Sequence, residues 1–247
     1  MQETHNRLIA GIHKYFKEAG FEKAVIGVSG GVDSAICLKL ATEVLGKENV
    51  TAVLMPEKGV SNEENSQHAK ALCQFLEVET FVLPINKYLT DLLTLPWKPS
   101  NLAQINIKAR IRMILLYSLA NTRNALVIGT SNKTELMIGY GTKHGDLAAD
   151  IEFIGSLFKT EVFELAEHIG LPQEFITKKP SAELYSGQTD EEELGMSYKD
   201  LDNILKQLEK GLSKEDLITK GINPHAVHKV VRLMEINKHK LSPAPIV

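Results

Sequence analysis

The chain has 247 residues, 43% of them hydrophobic and 24% charged, with a formal net charge of −3. This balance fits a globular protein of one large or two small domains and excludes a disordered chain or a strongly basic nucleic-acid binder. The polar start Met1-Gln2-Glu3-Thr4-His5-Asn6-Arg7 and the short reach of the apolar stretch Met113 to Ala120 predict no signal peptide, no membrane span and a cytoplasmic location.

The first apolar run, Ala24-Val25-Ile26-Gly27-Val28, predicts a strand, and the periodic stretch from Asp33 to Leu45 predicts a helix. Val50 to Met55 and Asn62 to Leu76 repeat the pattern, and a third strand, Thr80 to Leu83, is halted by Pro84. A β-α-β-α-β order implies parallel strands. After a loop marked by Pro96 and Pro99, a helix is expected over about Leu102 to Asn121, then a fourth strand at Ala125 to Ile128 ending in Gly129-Thr130. The text from Gly139 to Gly155 is glycine-rich and without period, as a ligand loop would be, and Lys159 to Ile169 is helical again. Past Pro180 lie the acidic helix start Asp190-Glu191-Glu192-Glu193 and helices near Tyr198 to Lys210, Lys214 to Thr219 and Pro224 to Asn237. The expected fold is α/β, a Rossmann-like parallel sheet with helices on both faces and a helical C-terminal extension, in one domain over residues 1–247. Cys37 and Cys73 fall in apolar-periodic stretches without CxxC spacing and are expected to be buried, reduced thiols.

Ser29-Gly30-Gly31-Val32-Asp33-Ser34 stands directly after the first strand and opens the first helix. Ligands of open parallel sheets bind at the carboxyl ends of strands, where a helix N-terminus offers N–H groups and a positive dipole end to phosphate. Paired glycines let the backbone approach closely, and Ser29 and Ser34 add hydroxyls. Asp33 would repel phosphate unless a divalent cation lay between them, so it points to magnesium. The Walker pattern GxxxxGK[ST] is absent, and the glycines from Gly139 to Gly145 have the wrong spacing for GxGxxG.

The SGGxDS loop resembles that of the N-type ATP pyrophosphatases, which have an adenine nucleotide alpha hydrolase-like fold, split ATP between its α and β phosphates and pass AMP to an acceptor. Further segments resemble the NAD synthetase family: Asn106-Ile107-Lys108-Ala109-Arg110-Ile111-Arg112, Gly129-Thr130-Ser131-Asn132-Lys133-Thr134-Glu135, Gly139 to Asp150 with Lys143 and Asp146, Gly155 to Val162 with Lys159, and Pro180-Ser181-Ala182-Glu183-Leu184. That resemblance implies ATP contacts at Gly27, Val28, Ser29, Gly30, Gly31, Val32, Asp33, Ser34, Thr130, Lys159 and Ser181. It implies magnesium at Asp33 and Glu135, and deamido-NAD contacts at Arg110, Lys143, Asp150, His239 and Lys240. Asp146 would lie near the reacting carboxamide end, making Asp33, Lys159 and Asp146 the catalytic candidates. His239-Lys240 is followed by Leu241, where the family often carries arginine.

The implied reaction is amidation of nicotinic acid adenine dinucleotide to NAD by ammonia, with ATP as co-substrate, through an adenylated intermediate that releases AMP and pyrophosphate. The length before Gly27 leaves no room for the amidase domain of glutamine-dependent members, so free ammonia is the expected nitrogen source. The resemblance also implies a homodimer, for which the apolar excess of the helix from Leu102 to Asn121 offers a face, acting on small molecules with no nucleic-acid or membrane partner. The loops near 58–64 and 184–190 are candidate lids. Adenylation of another acceptor, such as a purine nucleotide or tRNA, and a non-catalytic nucleotide sensor are the alternatives left open.

Overall fold

The computed structural model describes residues 1–92, 95–178 and 189–246. It opens with a helix that the strand-led reading of the sequence does not contain. Leu8, Ile12 and Phe16 recur every fourth residue and bury one stripe of α1 (Gln2–Ala19), which Gly20 ends in the left-handed conformation. Then follow β1 (Lys23–Gly27), α2 (Val32–Leu45), β2 (Val50–Leu54), α3 (Glu63–Phe75), β3 (Glu79–Val82), α4 (Asn86–Leu92) and α5 (Asn101–Arg123). Asn62 caps α3 by accepting from the Glu64 N–H at 2.8 Å, and Ser100 caps α5 by accepting from the Ala103 N–H at 3.2 Å.

The chain continues through β4 (Ala125–Gly129), α6 (Lys133–Ile138), β5 (Ile151–Glu152), α7 (Lys159–His168), α8 (Gln173–Ile176), α9 (Asp190–Leu194), α10 (Tyr198–Glu209), α11 (Lys214–Thr219) and α12 (Pro224–Asn237). The helix limits expected near the C-terminus agree with α10, α11 and α12 to within a residue. Two short elements, α6 and β5, lie in the stretch between the fourth strand and Lys159.

Among the described residues the strands form one parallel sheet in the order β3-β2-β1-β4-β5. Alternation sorts its side chains into two layers: Ala24, Ile26, Val50, Ala52, Leu126 and Ile128 pack on the α1, α2 and α7 side, whereas Val25, Val53 and Val127 face α4 and α5. Cys37 and Cys73 are free and buried, as expected. A third cluster, with Ile138, Phe158, Leu194, Leu201, Ile204, Leu217, Val227 and Val230, joins the C-terminal helices to α6 and the start of α7.

The chain winds from β1 outward to β2 and β3, and α5 then carries it back to β4 on the other side of β1. That reversal opens a crevice at the carboxyl ends of β1 and β4, where parallel sheets receive ligands. Among the described residues no helix is long and apolar enough to cross a membrane.

Candidate active site

The loop after β1 is built by its own small side chains. The Ser34 hydroxyl donates to the Gly31 carbonyl at 3.1 Å, and the Gly31 N–H donates to the Ser29 hydroxyl at 3.2 Å. Gly30 has φ 89°, and a Cβ there would lie 2.3 Å from the Asn65 carbonyl oxygen at the start of α3. Conformation and space both require glycine at position 30. Beneath the loop, the Val28 N–H donates to the Val53 carbonyl at 3.0 Å, while Gly27 lies against Leu116 and Met55. Val32, Asp33 and Ser34 form the first turn of α2, whose leading N–H groups and positive dipole end adjoin the loop.

Asp33 meets residues from the far side of the crevice. Its Oδ1 accepts from the Asn132 side-chain amide at 3.0 Å, and its Oδ2 pairs with the Lys159 ammonium. Asn132 is buried and caps α6 in a reciprocal box: it accepts from the Glu135 N–H at 3.0 Å, and Glu135 Oε2 accepts from the Asn132 N–H at 3.2 Å. That box turns the Glu135 carboxylate inward, 4.0 Å from the Lys159 ammonium. Thr130 lies, half-buried, between the end of β4 and this turn.

Electrostatics make the cluster short of positive charge. Burial and then the Asp33 charge push the Glu135 carboxyl up to about 8, although Lys159 pulls the other way. Burial alone would lower the Lys159 ammonium, but the Asp33 and Glu135 charges outweigh it and hold it above its ordinary value. Two convergent carboxylates that one ammonium does not fully satisfy, beside a phosphate-shaped loop, are the oxygen donors a hard divalent cation takes. Asp33 and Glu135 therefore fit magnesium.

The remaining candidates surround the turn from Gly139 to Asp146. The Arg110 guanidinium of α5 donates from Nε and Nη2 to the Lys143 carbonyl at 3.3 and 3.2 Å, and the Thr142 hydroxyl donates to Asn106 at 2.9 Å. Lys143 and Lys240 form a reciprocal clasp. Lys143 Nζ donates to the His239 and Ser242 carbonyls at 2.6 and 3.1 Å, and Lys240 Nζ donates to the Gly139 and Gly141 carbonyls at 2.9 and 3.0 Å. Asn237 adds a bond to the Ile138 carbonyl at 2.9 Å, while the His239 ring sits 3.0 Å from the Ile236 carbonyl. Asp146 accepts from the Thr142 N–H at 3.0 Å. Burial raises its carboxyl, opposed by that amide and by Lys240.

Asp150 stands apart from these side chains. Its Oδ2 accepts from the Val127 N–H at 2.7 Å and its Oδ1 from the Tyr117 hydroxyl at 3.3 Å, so its carboxylate joins β4 to α5. The candidate Ser181 and the lid stretch 184–188 lie outside the described residues. In the other lid stretch, Lys58 is held through its N–H and carbonyl by the Asn86 side chain, at 2.8 and 3.0 Å.

Glu152 is a site residue that the sequence reading does not name. Its carboxylate covers Gly129, where a Cβ would come within 2.3 Å of it, and accepts from the Ser131 N–H at 3.0 Å. Burial pushes this carboxyl up to about 7, with the Asp146 charge acting in the same direction. Glu152 thus lies between the Asn132 turn and the Asp146 loop. Its only linear signal is a charge inside the apolar run Ile151-Glu152-Phe153-Ile154.

A family described as NAD synthase matches residues 4–244 of the chain. An NH(3)-dependent NAD(+) synthetase from Methanosarcina acetivorans is 42% identical, covering 99% of this chain and 97% of that one. The solved NH3-dependent NAD synthetase from Campylobacter jejuni superposes with a TM-score of 0.86 at 34% identity, covering 100% of this chain and 98% of that one. The NMN synthetase from Francisella tularensis superposes with a TM-score of 0.87 at 31% identity over the same shares.

Proposed function

The chain belongs to the NAD synthase family, ligases that form a carbon–nitrogen bond, and we propose that it adenylates the nicotinate carboxyl of deamido-NAD with ATP and amidates it with ammonia. The observation that carries this reading is the Asp33–Lys159–Glu135 cluster at the phosphate loop, which joins a cation-seeking carboxylate pair to a buried ammonium. A carboxylate is a poor acyl donor, and transfer of AMP to it supplies a leaving group. A nicotinate oxygen forms the new bond to the α-phosphorus, and the bond to the bridging oxygen breaks, with its electron pair leaving on pyrophosphate. Ammonia then forms the C–N bond, AMP departs with the C–O pair, and nitrogen gives up a proton.

The residues divide the work. Gly27, Val28, Ser29, Gly30, Gly31, Val32 and Ser34 cradle the triphosphate, with Thr130 and Ser181 as further ATP contacts. Lys159 meets the negative charge that develops on pyrophosphate. Asp33 and Glu135 would hold magnesium, which supplies neutralisation of phosphate charge in such a transfer. Arg110, Lys143, Asp150, His239 and Lys240 hold deamido-NAD, with Asp146 beside the acyl carbon. No side-chain nucleophile is required. We place the enzyme in the cytoplasm as a homodimer acting on small molecules alone.

The test is NAD formation, read by a coupled dehydrogenase, with purified protein, ATP, magnesium and deamido-NAD, comparing ammonium with glutamine. NAD from ammonium alone is expected, and no NAD from either donor, in folded protein that binds ATP, overturns the reading. Because one structural relative is named an NMN synthetase, nicotinic acid mononucleotide is run alongside. Preferential use of it would replace the dinucleotide as substrate and leave the chemistry unchanged.

A further inference from the structure

Asp202 is 2% exposed and lies on α10, outside the phosphate loop and the loop from Gly139 to Asp146. Its Oδ1 accepts from the Thr134 hydroxyl at 2.5 Å and its Oδ2 from the Thr160 N–H at 2.7 Å. Thr134 is itself fully buried, and its oxygen accepts from the Lys159 N–H at 2.9 Å. A carboxylate is costly to bury, so these bonds must be strong and fixed in geometry.

The need for this arrangement follows from the residue at the start of α7. Its N-cap position is Phe158, whose side chain accepts no hydrogen bond; Glu161 accepts from the Phe158 N–H at 2.9 Å, and the N–H groups of Lys159 and Thr160 find their acceptors outside the helix. Thr134 and Asp202 supply the acceptors from two other helices, and the negative charge of Asp202 stands at the positive end of α7. Lys159 is the first residue of α7, and Thr134 precedes Glu135 on α6. One buried carboxylate therefore joins the helix that carries the ammonium to the helix that carries the carboxylate it faces.

We propose that Asp202 is a positioning residue for adenylate transfer, acting through Thr134 and Thr160 to hold Lys159 against Asp33 and Glu135. This role rests on the proposed reaction. It also gives the C-terminal helices a part in chemistry that takes place at the ends of β1 and β4.

The test compares Asp202→Asn, Thr134→Val and Thr134→Ser by steady-state kinetics, with rates normalised to folded protein. Asparagine keeps the shape but turns an amide group toward one of the two donors, so kcat should fall about 10- to 100-fold, the usual range for a residue that orients a catalytic group. KM for ammonium and deamido-NAD should hold within about twofold, since neither is bound through α7. Thr134→Val should reproduce the loss and Thr134→Ser restore the rate. The double variant Asp202→Asn/Thr134→Val should be no slower than the slower single variant. A normal kcat in Asp202→Asn, or losses that multiply in the double variant, overturns the proposal. If Asp202→Asn does not fold, the Thr134 pair decides, and equal rates for valine and serine overturn it. Wild-type protein inactive in the same assay would instead overturn the proposed reaction.

Discussion

Lys159 serves two carboxylates with one charge, and burial, then the Asp33 charge, push the Glu135 carboxyl up to about 8 against the pull of that ammonium. On the proposed function, Asp33→Asn and Glu135→Gln each lower kcat by at least about 100-fold while leaving the far-ultraviolet dichroism unchanged. A near-normal rate at saturating magnesium would remove either residue from the metal site. Glu152 offers a separate test, of stability against pH. Its folded carboxyl titrates near 7 rather than 4.5, so the native state binds more protons than the unfolded state between those values. Stability due to this group is therefore greatest below pH 4.5 and falls as pH rises through 7. Glutamine can still accept from the Ser131 N–H without ionising. Glu152→Gln should gain about 2–3 kcal/mol on the wild type between pH 5 and pH 8, as urea unfolding would report. A difference independent of pH would refute the shift.

Elements that bury many side chains were legible in sequence: β1, β2 and β4 as nearly continuous apolar runs, α2 as a mostly apolar stretch, and α10 as a buried stripe through Tyr198, Leu201 and Leu205. Several elements escaped: α1 has a clear stripe but precedes the first strand, the short helices α4, α6 and α8 span two turns or fewer, and β5 has two residues, too few for any alternation. The phosphate loop was readable because it lies between a strand and a helix start, whereas Lys159 and Glu135 were reached only through the resemblance to the NAD synthetase family. Glu152 was not, since its meaning depends on lying across from Gly129 in the β4–β5 pair. Long-range pairing also changes the immediate role of the two lysines, which grip carbonyls across the seam between the tail and the loop from Gly139 to Asp146. Lys240→Met removes two of those bonds, so KM for deamido-NAD should rise about tenfold, with ATP affinity little changed. Equal losses for both ligands, in kinetics and calorimetry, would show that the clasp does not act on one side of the site.

At the scale of the whole molecule, the exposed apolar side chains bear on assembly. Leu102 and Ile114 on α5 are 66% and 59% exposed, and Trp97 ahead of the helix is 63% exposed. A pair of copies facing each other through this helix would cover them. Ile114→Glu should then convert a dimer at micromolar concentration into a monomer in sedimentation velocity, and a wild-type monomer under those conditions would exclude the homodimer. The contact of Gly30 with Asn65 has a consequence at the same scale. Because the backbone at the start of α3 fills the space beside position 30, the phosphate loop packs directly on α3 in the folded chain. On the proposed function, ATP would then meet a loop whose shape is supported from behind, and less of its affinity would be lost in ordering the protein around its phosphates.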